Sequence, residues 1–72
     1  MLSKKDFTSK LARNIKMARE KTEMSQEELA HKAELYRTYV NHIESSRYSP
    51  SAYVIYKIAK VLGISTSEIL PQ

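Results

Sequence analysis

The sequence predicts an all-α fold, a compact bundle of five short helices. Three observations point to it. Apolar residues recur at three- and four-residue spacing through most of the chain. Ser25, Ser51 and Ser65 each stand where a helix start needs a capping hydroxyl. A single Gly and two Pro in 72 residues leave little turn material for a loop-rich β fold. The length suits one domain, residues 1–72, with a small core.

Taken in order, the first helix begins near Ser3 to Asp6 and runs to about Thr22, with Phe7, Leu11, Ile15 and Ala18 as its buried stripe. Leu2 and Met17 fall outside that stripe, on the surface or against a partner. Met24 is the hydrophobic residue ahead of a cap. Ser25 and Glu28 spell a capping box, so a second helix starts at Gln26 and presents Leu29, Ala30 and Ala33 as a small apolar face. The pattern breaks at Glu34, Leu35 plugs a tight turn, and a third helix runs from about Arg37 to Ser45. Ser46 to Ser49 form a polar loop ended by Pro50. Ser51 caps a fourth helix from Ala52 to Leu62, with Ser49 and Pro50 as the alternative start. Its inner face is Ala52, Ile55, Ile58, Ala59 and Leu62. Gly63 closes it with a positive φ. Ser65 and Glu68 suggest a second capping box for a final helix ending at Leu70, where Pro71 stops it. Ile64, Ile69 and Leu70 close the core.

The third helix carries the chemistry. Val40 and Ile43 point one way, and at about 100° per residue Arg37, Thr38, Asn41, His42 and Ser45 gather on the other side. A short helix that is apolar behind and rich in donors in front suits a DNA groove. The net charge of +4 fits that reading weakly. Its placement says more, because Lys4, Lys5, Lys10, Arg13, Lys16, Arg19 and Lys21 crowd the first third. Glu23, Glu27, Glu28 and Glu34 collect near the second helix.

Leu29, Ala30, Ala33, Leu35, Val40 and Ile43, then Ile43-Glu44 and the stretch from Pro50 to Ile64, match the lambda-repressor/Cro-like (Xre-type) helix-turn-helix family in type and spacing. The resemblance covers roughly Ile15 to Leu70. The run Arg37-Thr38-Tyr39-Val40 followed by Ile43-Glu44 most resembles the controller proteins of restriction–modification systems. The family commonly has Gly where this chain has Glu23, Glu34 and Ser46. If those positions keep left-handed backbone, each costs on the order of 1 kcal/mol. Tyr36 replaces the family's usual Ser or Thr cap and is expected to pack.

The resemblance implies a lambda-repressor-like domain that binds duplex DNA as a transcriptional regulator. Arg37 and Thr38 stand where the family reads bases: Arg fits guanine O6 and N7, and Thr offers a hydroxyl or a methyl to thymine. Asn41, one turn on, reads adenine or touches a phosphate. Gln26 resembles the family's phosphate-clamping glutamine, and Arg47 and Tyr48 fall where members touch the backbone. Tyr39 either packs on sugar–phosphate or covers the edge of the core. His42 is a surface histidine that joins the backbone group at most. Arg19 and Glu44 resemble the family's internal ion pair, which fixes the angle of the reading helix. Such small modules act as two-fold dimers on the two half-sites of a palindromic operator, about one helical turn apart. The spare apolar positions Tyr53, Val54, Tyr56 and Val61, with Ile69 and Leu70, are the expected dimer surface.

Other classes find little support. There is no cysteine for a disulfide or thiolate site, no apolar run of membrane length and no secretion signal, which fits a cytoplasmic protein. No Gly-rich phosphate loop is present, and His31 and His42 lack catalytic or metal-ligand company, so neither an enzyme nor a cofactor or metal is expected. The expected partners are double-stranded DNA, a second copy of the chain and RNA polymerase, with no membrane. Two further readings share the same residues: an antitoxin that binds both DNA and a toxin, and a helix-turn-helix fold kept only for protein interaction.

Overall fold

The computed structural model describes all 72 residues and is entirely helical. Its elements are α1 (Lys4–Lys21), α2 (Gln26–Lys32), α3 (Arg37–Glu44), α4 (Ala52–Leu62) and α5 (Thr66–Ile69). Serine hydroxyls start three of them. Ser3 accepts from the Asp6 amide, Ser51 from that of Val54, and Ser25 with Glu28 forms a closed capping box. The box expected at Ser65 and Glu68 does not close. The Ser65 hydroxyl instead pairs with that of Ser67, and α5 is a single turn held by its tertiary packing.

Eleven buried residues drawn from all five helices form one core. Leu11 and Ile15 of α1 meet Leu29 and Ala30 of α2, Val40 and Ile43 of α3, and the α4 stripe Ile55, Ile58, Ala59 and Leu62. Ala12 is also buried, although its small side chain drew no notice in the sequence. Two expectations fail here. Ala52, assigned to the inner face of α4, is exposed, because the first turn of α4 overhangs the core. Ile69, counted among the dimer residues, is fully buried and closes the bottom of the core. Above it, the Asn14 amide on α1 donates to the Ile69 carbonyl at 2.8 Å and pins α5 in place. No helix is long and apolar enough to cross a membrane.

Four helices end in one way. A left-handed residue follows α1, α2, α3 and α4 at Glu23, Glu34, Ser46 and Gly63, with φ of 59°, 55°, 67° and 71°. The next amide then reaches back into the last turn: Met24 to Arg19, Leu35 to Ala30, Arg47 to His42, and Ile64 to Ala59. This is the Schellman arrangement, in which a hydrophobic residue beyond the left-handed one packs back on the helix. Met24, Leu35 and Ile64 do so. Arg47 occupies the same place after α3 and is exposed.

Only one of the four left-handed positions is glycine, so the other three are strained by roughly 1–2 kcal/mol each. Part of that is recovered because glycine would lose more backbone entropy on folding. Glu23→Gly, Glu34→Gly and Ser46→Gly are each expected to stabilise the fold by about 0.5–1 kcal/mol. The triple variant should melt higher by on the order of 10 °C when followed by circular dichroism. A lower melting point would mean that these ends do not hold the left-handed conformation in solution.

Candidate nucleic-acid interface

α3 is backed by Val40 and Ile43, both essentially inaccessible, and turns Arg37, Thr38, Asn41 and Ser45 to solvent. Tyr36 precedes it as an N-cap without a cap hydrogen bond. Its ring, expected to pack, is 86% exposed beside Arg37.

One edge of α3 is held by a polar chain that crosses three helices. Arg19 donates through Nε to Glu44 Oε2 at 2.7 Å and through Nη2 to Oε1 at 3.0 Å. Its Nη1 donates to the Met24 carbonyl at 2.7 Å, which ties down the turn between α1 and α2. Glu44 Oε1 also accepts from Gln26 Nε2 at 3.0 Å, and Gln26 Oε1 accepts from Asn41 Nδ2 at 3.3 Å. The Arg19 and Glu44 side chains are only 10% and 3% exposed. Hydrogen bonding to Glu44 raises the Arg19 pKa above its ordinary value, against burial, which lowers it, so the guanidinium stays charged. Asn41 and Gln26 thus stand side by side at the surface, oriented from behind by a buried ion pair. Lys16 of α1 lines the same recess with Gln26, Asn41 and Ser45. Sequence reasoning passed over it within the general run of basic residues. No pattern within α1 sets it apart from the other basic residues, since only the packing of α1 on α3 brings it to this recess.

The other edge of α3 is aromatic. Tyr39 is half-buried and its ring centroid lies 5.9 Å from that of Tyr48. His42, read in the sequence as a plain surface residue, is also half-buried and meets the Tyr48 ring edge-on at 5.0 Å. The His42 carbonyl accepts from the amides of Arg47 and Tyr48. This cluster fixes the loop after α3 and leaves Arg47 extended into solvent. Candidate backbone contacts therefore lie on both sides of the donor face: Gln26 and Lys16 on one, and Tyr39, Arg47 and Tyr48 on the other.

The expected dimer residues differ in exposure. On α4, Tyr53 and Tyr56 stand opposite the core, 68% and 50% exposed, with their rings stacked at 6.4 Å. The ammonium groups of Lys57 and Lys60 lie over these rings at 5.3 and 5.9 Å. Val54 and Val61, seven residues apart, share a flank of α4 and are half-buried, as is Leu70.

Residues 15–69 match the helix-turn-helix family. The chain is 38% identical over 60 residues to the immunity repressor protein of Bacillus phage phi105, covering 83% of this chain and 42% of that protein. It is 42% identical over 50 residues to control protein C.BamHI of Bacillus amyloliquefaciens, covering 69% of this chain and 62% of that one. The chain thus spans less than two thirds of the length of these relatives. The restriction-modification controller protein C.AhdI from Aeromonas hydrophila superposes with a TM-score of 0.85 at 30% identity, over 88% of this chain and 96% of that one.

The buried pair makes a sharp prediction. Glu44→Ala strands the Arg19 charge with only the Met24 carbonyl and frees Gln26. It should cost about 3 kcal/mol and lower the melting temperature by more than 10 °C, roughly. Arg19→Met combined with Glu44→Leu should recover most of that loss, since apolar residues of similar volume replace a buried pair at little cost. Urea titration of the three proteins measures both effects. A Glu44→Ala variant as stable as the parent would show that the pair holds nothing together.

Proposed function

Because the chain belongs to the helix-turn-helix family, we propose that it binds duplex DNA in a sequence-specific way and regulates transcription, with α3 in the major groove. The observation that carries this reading is the outer face of α3. Arg37, Thr38 and Asn41 are exposed together on a rigidly backed helix, with cations and hydrogen-bond donors along both edges. Bases are read by the face, and phosphates are held at the edges.

A controller of restriction–modification is favoured over a phage-type repressor. In sequence, the match to control protein C.BamHI runs over 62% of that protein, against 42% of the phage repressor. The protein acts as a symmetric dimer on a palindromic operator, because one module makes too few base contacts for specificity on its own. The flank of α4 that carries Val54 and Val61 is the proposed seam, with Leu70, Tyr53 and Tyr56 as further contacts of the dimer. RNA polymerase is the partner proposed for the exposed acidic residues Glu23, Glu27, Glu28 and Glu34, which DNA phosphates repel and leave free.

Selection from a random duplex pool should recover a palindrome. On that operator, Arg37→Ala should cost about 1–3 kcal/mol per half-site and relax one base position. Arg47→Ala should instead weaken operator and random duplex by similar factors and reduce the salt slope by roughly one charge per half-site. If Arg37→Ala weakens every single-base variant equally, Arg37 is a backbone contact and the reading passes to Thr38 and Asn41. Sedimentation at micromolar concentration should give about twice 8.3 kDa, and Val61→Glu should halve it. A parent that stays monomeric both free and on DNA would refute the dimer.

A further inference from the structure

One flank of α1 changes character toward the start of the helix. Leu11 and Ala12 are buried in the core, yet Lys4 and Lys5, seven residues earlier on the same face, are not apolar. Thr8 and Ser9 complete this polar stretch. In the first two turns of α1 Phe7 still packs on the core, while the flank beside it, Lys4, Lys5, Thr8 and Ser9, overhangs with basic and hydroxyl side chains. They lie ahead of residues 15–69, the span that matches the family.

What faces the overhang is the loop after α3. Lys4, Lys5, Thr8 and Ser9 line one wall of an open cleft of about 900 Å³, and Arg47 and Tyr48 line the other. Tyr39 forms its floor side, so the cleft is continuous with the aromatic edge of α3. Three cations and several hydroxyls converge there, and no carboxylate lines the cleft. Arg47 itself departs from the pattern of the other helix ends, which place an apolar residue at that position and pack it inward. A cleft with this lining is complementary to a run of phosphates and to little else.

We propose that the amino-terminal overhang of α1 is a second DNA-backbone clamp. In it Lys4 and Lys5 hold phosphates next to the one engaged by Arg47, along the wall of the major groove opposite Gln26. This rests on the DNA-binding reading above and extends it to residues outside the helix-turn-helix. The clamp adds affinity and fixes how far α3 tilts into the groove. It carries no base preference, because phosphates are the same at every sequence. Thr8 and Ser9 offer hydroxyl donors between the two ammonium groups and the loop.

The test uses the full chain and its selected operator. Lys4→Ala with Lys5→Ala removes both charges from exposed positions, so the core is untouched; Lys4→Gln with Lys5→Gln keeps the side-chain length and polarity. Either pair should weaken operator and random duplex by the same factor, roughly threefold to tenfold per half-site. The slope of log K against log salt should fall by between one and two charges per half-site. Single neutral methylphosphonates placed in turn along each half-site then locate the contact. The parent should lose affinity at one or two phosphates adjacent to the phosphate at which Arg47→Ala becomes indifferent. The lysine variants should be indifferent at those same phosphates. An unchanged salt slope, or sensitivity identical to the parent at every phosphate, overturns the clamp and assigns the cleft to another acidic partner. A loss spread evenly over all phosphates also overturns it, since it would reflect net charge alone. A parent that binds no duplex refutes the DNA reading itself, and the clamp with it.

Discussion

The Arg19–Glu44 pair is the constraint on which the arrangement of α1, α2 and α3 depends. Both side chains are largely shielded from water, so each depends on the other to be tolerated there. Arg19 spends its third hydrogen bond on the Met24 carbonyl, at the turn that launches α2. Glu44 spends its spare lone pair on Gln26, at the first position of α2. One ion pair thus fixes the end of α3, the exit of α1 and the start of α2. An apolar contact could bury as much area, but it would not set a rotation angle, since packing is non-directional. Two parallel hydrogen bonds to a planar guanidinium do set one.

The same chain of bonds reaches the surface. Asn41 bonds to Gln26, so the amides that face outward are oriented by groups that do not. A side chain held before its ligand arrives loses less entropy on binding. The aromatic edge does comparable work on the other side, where Tyr39 and His42 seat Tyr48 and with it the loop that extends Arg47. Arg37 and Thr38, at the free end of α3, have no such restraint. That contrast suits a division of labour in which fixed edges register on the backbone and a freer tip adapts to bases.

Helix ends account for much of how so short a chain folds. Seventy-two residues give a small core, and every loop must turn tightly to keep all five helices on it. The chain meets that demand by repeating one termination after α1, α2, α3 and α4, even where the left-handed residue is Glu or Ser. At Glu23 and Glu34 the strain is offset by the apolar residue that the turn returns to the core, Met24 and Leu35, and Gly63 returns Ile64 without strain. After α3 no such return is made, and that is where the proposed interface lies.

The sequence by itself determined the helices and the faces they bury. Capping serines and apolar periodicity are local signals, and local hydrogen bonds and side-chain spacing are what they encode. Hence the boundaries of α1 to α4, the core stripes and the outward set Arg37, Thr38 and Asn41 were legible before any coordinates. The failures are tertiary in origin. Ala52 and Ile69 were both read as core residues, yet only the angle between helices decides that the first stands clear of the core and the second is buried too deeply to join a dimer surface. Tyr36 could have folded inward, and the turn geometry turned it outward. Ser65 and Glu68 spell a capping box, but a one-turn helix held by packing does not need it closed. Lys4, Lys5 and Lys16 were three cations among many until α1 was laid across the end of α3. Which of a helix's polar residues meet another element is a property of the crossing, and no periodicity in one segment contains it.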